Sequence, residues 1–110
     1  MACQIRPDPT GINRSQAPSG ATLTLCIDST SGLAHLTAAN LNGANIPVND
    51  PCVTFTIVAG PNLLLITVVS PDNNDTITVS EDCGNGTKNP IDVYPYDPAD
   101  PVRGYTINGR

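Results

Sequence analysis

Residues 52–82, CVTFTIVAGPNLLLITVVSPDNNDTITVSED, decide the fold. Val53, Phe55 and Ile57 alternate with Thr54 and Thr56, the period of two that sends successive side chains to opposite faces of a strand. Ala59-Gly60-Pro61-Asn62 breaks that period with turn residues. The stretch 62–70 is apolar at both parities, as expected of a central strand or one covered on both faces. A second turn, residues 70–75 (SPDNND), leads into 76–82, where Ile77 and Val79 point inward between polar neighbours.

Working outward, residues 21–28 (ATLTLCID) repeat the pattern, with Leu23, Leu25 and Ile27 against Thr22, Thr24 and Cys26. Residues 33–48 are ambiguous in composition, and Ala and Leu would permit a short helix over 33–41. A strand entering an Asn42-Gly43 turn is the preferred reading, because Asn-Gly between apolar residues signals a hairpin. Residues 1–20 read as an extended N-terminal arm, with three prolines and two glycines between 6 and 20. Residues 84–110 read as a second arm, rich in Pro and Tyr. Proline denies a ladder its N–H donors, so at most an edge strand near 104–107 is expected there. Ends of this composition fray unless tied down, so both arms are expected to be pinned, on their own sandwich or in a larger assembly.

Short strands near ten residues apart, separated by Gly, Pro and Asn, predict an all-β chain: one β-sandwich over 21–83 with the two arms attached. The run from Val53 to Cys83 (Phe-x-Ile, a Gly-Pro-Asn turn, an apolar strand, a second turn, Ile-x-Val) resembles immunoglobulin-like sandwiches and small jelly rolls. The resemblance implies the sandwich alone. It covers about a third of the chain, and the immunoglobulin pattern of two core cysteines and a tryptophan is absent.

Composition narrows the function. With 110 residues, 4% aromatics and one Phe, the core must be aliphatic and modest. Charged residues are 14% and the formal net charge is −5. The five cations, Arg6, Arg14, Lys88, Arg103 and Arg110, are scattered. Phosphate neutralisation needs a concentrated basic stripe, so nucleic acid is not an expected partner. No run approaches a membrane span, and membrane insertion is not expected. The N-terminus lacks the apolar region of a signal peptide: either the protein is not exported by that route or a leader has been removed.

Cys3, Cys26, Cys52 and Cys83 allow three disulfide connectivities. Their wide spacing disfavours zinc, whose structural sites use close pairs of ligands. By strand parity Cys26 and Cys52 leave the apolar face with the threonines, where a cross-strand or tail-anchoring disulfide is easy. Disulfides imply an oxidising setting, extracellular or on a virion surface.

Catalytic chemistry has little to work with. His35 is the sole histidine and no Gly-x-Ser-x-Gly elbow accompanies it, so it reads as a residue on a half-exposed strand face. Glu81, the sole Glu, sits beside Asp82 at a strand end and reads as surface charge. Asp72, Asn74 and Asp75 gather hard oxygens suited to calcium, but an Asx-rich turn explains them too. No cofactor is expected. Asn-x-Ser/Thr sequons begin at Asn13, Asn74 and Asn85, all in expected loops.

These features point to a non-enzymatic structural subunit. It would associate with its own copies, or with a larger assembly of virion-surface, decoration or filament type, through its arms. Tyr94, Tyr96 and Tyr105 would be the contact residues. Deleting 84–110 would then abolish assembly and leave the sandwich folded. The alternative is a carbohydrate- or ligand-binding accessory module using the same tyrosines as platforms for a glycan.

Overall fold

A computed structural model describes residues 3–8 and 11–110; the side chains of 7, 8 and 11–14 lie outside that description. Ten strands and no helix are found among these residues. They are β1 (Arg6–Asp8), β2 (Gly11–Ala17), β3 (Thr22–Ser29), β4 (His35–Leu41), β5 (Ala44–Ile46), β6 (Cys52–Thr56), β7 (Gly60–Val69), β8 (Thr76–Gly84), β9 (Thr87–Pro95) and β10 (Val102–Gly109).

Two sheets pack face to face as a β-sandwich. One has six strands in the order β1-β2-β10-β7-β4-β5, the other four in the order β6-β3-β8-β9. The core lies between them and is aliphatic. Leu23, Leu25, Ile27, Val53, Phe55, Ile77 and Val79 come from the smaller sheet, and Leu64, Ile66, Val68 and Ile107 from the larger. At roughly 2 kcal/mol for each large side chain withdrawn from water, this row supplies most of the driving force. The alternation read from residues 52–58 and 76–80 is what puts these side chains inward.

Residues 33–46 resolve as a hairpin. Asn42 and Gly43 both take positive φ, 54° and 90°, the backbone that a two-residue turn matching the strand twist requires. The helix alternative over 33–41 loses because β4 aligns with β7 from His35↔Val69 to Leu41↔Leu64.

The segment 84–110 departs from expectation. It is pinned on its own sandwich, and it is not an arm. Asn85-Gly86, again at positive φ, turns β8 into β9. The four prolines explain the rest. Pro90 and Pro95 fall in β9, the edge strand of its sheet, where a missing N–H is tolerated. Pro98 and Pro101 lie in the loop before β10. The eight residues of β10 contain no proline, so it serves as an interior strand between β2 and β7. The sandwich therefore extends well beyond 21–83.

At the other end, β1 and β2 form a hairpin, and β2 runs parallel to the end of β10. The first sequon thus begins in strand backbone, with the Asn13 side chain outside the described residues. Asn74 and Asn85 are exposed in turns, as expected.

Candidate functional site

The three tyrosines are in the sandwich, not on an arm. Tyr105 of β10 is 1% exposed and Tyr96 8%; Tyr94 of β9 is half-buried. Tyr105 and Tyr94 meet in a polar cluster that joins the two sheets, while the Tyr96 amide donates to the Asp75 carbonyl at 2.9 Å. β9 carries a bulge at Ile91, so Ile91 and Asp92 both turn toward the interior: Asp92 pairs with Val79, and Pro90 with Ser80. The Asp92 carboxylate accepts hydrogen bonds from Tyr105 Oη (2.8 Å) and from Arg103 Nε (2.9 Å) and Nη2 (3.3 Å). Arg103 stacks over the Tyr94 ring, 4.4 Å from its centroid. The bond to Asp92 raises the Arg103 pKa further. Burial, reinforced by that carboxylate, drives the Tyr105 phenol far above its ordinary value, and burial pushes Tyr94 up to about 12. Tyr96 and Tyr105 are buried in the sandwich and so are not surface contact residues of this chain, whereas Tyr94 is half-buried beneath Arg103. Sequence reasoning missed Asp92 and Arg103; the alternation Arg103-x-Tyr105-x-Ile107 was the available signal.

The Asx-rich turn resolves around Asp75, which is 1% exposed. Its carboxylate accepts from Thr30 Oγ1 (2.7 Å), Ser31 N (2.9 Å), Ser31 Oγ (2.6 Å) and Ser70 Oγ (2.7 Å). Burial alone would raise its pKa, but the hydrogen bonds from Ser31, Ser70 and Thr30 outweigh it and hold the carboxyl well below the usual range. Asp72 Oδ1 accepts the Asn74 amide at 2.8 Å, an Asx turn. The Asp75 and Asp72 oxygens thus bind their own chain, which favours the turn reading over the calcium one.

Glu81 also corrects its sequence reading. It is 1% exposed, not a surface charge, and each carboxylate oxygen accepts a backbone amide at 2.9 Å, from Gln4 and from Ile5. The N-terminal segment is fastened there a second time by the Cys3–Cys83 disulfide. A groove of about 270 Å³ opens beside it, between Thr22 and Thr24 of β3 and the end of β8. Cys26 and Cys52 face each other in register on β3 and β6 and form the other disulfide, the cross-strand arrangement that parity allowed. With both pairs oxidised, none of the four sulfurs is a thiolate free to hold a metal. Two such bridges suit an oxidising, extracellular-type environment.

His35 lies in the open on β4, its side chain 67% exposed, with Nδ1 2.7 Å from Asp50 Oδ2. Spacing gave no hint of that partner. The bonds from His35 and from the Leu36 amide lower the Asp50 pKa.

The outer face of the six-stranded sheet is the remaining feature. Outward on β7 are Leu63, Leu65, Thr67 and Val69; beside them stand Val102, Gly104 and Thr106 of β10, and His35, Ala38 and Asn40 of β4. Leu63 (48%), Val69 (44%) and Val102 (44%) are exposed. Leu65 leans over Gly104, where an added Cβ would come within 3.1 Å of its Cδ2. None of these outward residues is Asp, Glu, Lys or Arg.

Comparison with known protein families, with curated proteins and with solved structures finds no match to this chain. Among the described residues no helix is long and apolar enough to cross a membrane.

Proposed function

We propose that this chain is a non-enzymatic structural subunit that associates with copies of itself in a larger assembly, of the virion-surface, decoration or extracellular-filament type. The observation that carries this reading is the outer face of β7: an apolar row lies open on the central part of the larger sheet, flanked on β4 and β10 by no Asp, Glu, Lys or Arg, with the His35–Asp50 pair at one end. Contiguous exposed apolar surface of this kind is characteristic of interaction sites. The buried carboxylates support the non-enzymatic part. Asp75, Asp92 and Glu81 are each engaged by donors of their own chain, as structural groups are. Because 84–110 belongs to the sandwich, assembly runs through a sheet face and not through a free tail.

The mass of the native particle tests the reading. Sedimentation of the intact, oxidised chain should give a multiple of 11.4 kDa; a monomer at every accessible concentration overturns it. The accessory-module alternative now rests on the groove beside Glu81 and not on the tyrosines. A glycan array without hits removes its carbohydrate form.

A further inference from the structure

We infer that the outer face of β4, β7 and β10 in the six-stranded sheet docks on the same face of a second copy, through a two-fold axis near the middle of β7. This rests on the self-association reading and names its first contact.

Charge argues for a second copy as the occupant. The chain carries a formal net charge of −5, so two copies repel each other through most orientations. The outward residues of β4, β7 and β10 include no Asp, Glu, Lys or Arg, and at one end of the face Asp50 pairs with His35. Two copies can meet there without burying a charge or opposing like charges. The Asp50 carboxylate at the His35 end is already engaged by the His35 ring at 2.7 Å and the Leu36 amide at 2.8 Å, and no other carboxylate stands among these outward residues for a basic partner to pair with.

The pattern is self-complementary. A two-fold axis between Leu65 and Thr67 sets Leu63 opposite Val69 of the partner subunit, and Val69 opposite Leu63 of the partner subunit. That is the reciprocal contact an isologous interface requires. Apolar side chains then meet at both ends of the row, while Thr106, Asn40 and Ala38 flank it with groups that tolerate close approach. Sheets stacked about 10 Å apart interdigitate such side chains as in a sandwich core. β7, apolar at both parities, would then be covered on both sides.

The test compares sedimentation of the wild-type chain, the double variant Leu63→Lys/Val69→Lys, and the control Thr54→Lys/Thr56→Lys on the opposite, four-stranded sheet. Circular dichroism establishes that each is folded. Both pairs are outward, and Val102→Glu serves as an independent probe should the first variant unfold. The expected result is a wild-type species of at least twice 11.4 kDa, its loss to monomer in L63K/V69K and in V102E, and its retention in the control. Wild-type association that persists in both face variants overturns this interface and leaves the self-association reading standing. Association lost equally in the control also overturns it. A monomeric wild type overturns both.

Discussion

Tyr105 and Asp92 face each other across the sandwich, from strands of different sheets, and the phenol donates to the carboxylate at 2.8 Å. The bond fastens β9 to β10 where no backbone ladder can. A hydrogen bond to a charged group contributes roughly 1.5–3 kcal/mol. Tyr105→Phe should therefore lower unfolding stability by about 2 kcal/mol in urea titration. Tyr94→Phe provides the contrast. Among the described residues its buried hydroxyl has no partner, so removing it should be neutral or slightly stabilising.

Glu81 links the N-terminal segment to β8 through two amide bonds. Glu81→Gln keeps one acceptor oxygen and turns the other into a donor facing an N–H. We expect a loss of roughly 1–3 kcal/mol. Amide exchange at Gln4 and Ile5 should accelerate while that of Leu23 and Leu25 stays slow. Equal acceleration everywhere would show that Glu81 acts on the whole fold and not on this segment.

Acid should act through Asp75. Its folded pKa lies below the unfolded value of about 3.9. Its contribution is therefore fully present above pH 4 and lost as pH falls through the folded pKa. Stability measured from pH 6 downward should stay level from this source until about pH 4 and then decline. Asp75→Asn should flatten that decline and lower stability at pH 6 more than Asp28→Asn does, since Asp28 is an exposed residue.

Base acts with the opposite sign. The phenols of Tyr94 and Tyr105 are raised, so the folded state holds its protons where the unfolded chain releases them. Stability should be full below about pH 10 and fall above it. In a Tyr96→Phe background, tyrosinate absorbance should appear together with unfolding, not before it.

The disulfides close loops of different length, with sequence separations of 80 and 26. The chain-entropy relation gives about 4.5 kcal/mol for the longer and about 3.6 for the shorter, as upper values. Replacing Cys3 and Cys83 with serine should cost more than replacing Cys26 and Cys52. Calorimetry of the two double variants would show the order directly.

Truncation after Cys83 should unfold the protein. It removes β9 and β10 and with them Ile91, Tyr105 and Ile107, all at most 5% exposed. A dispersed NMR spectrum from residues 1–83 would contradict the placement of β10 inside the larger sheet.

The sequence by itself determined the strands that alternate. Val53, Phe55, Ile57, Ile77 and Val79 had only one way to leave water together, and Asn42-Gly43 set its own turn, because period and φ preference are local properties. It also marked β7 as apolar on both sides. Tertiary structure alone decided the rest. Whether a proline-bearing segment is an arm or two strands depends on which neighbours supply the ladder: β9 takes an edge, and proline-free β10 an interior place. Whether Glu81, Asp75 and Asp92 are surface charges or buried acceptors depends on donors brought from residues up to 77 positions away. Such pairings leave no periodic trace in the chain, since they follow from register and from which ends of the two sheets meet.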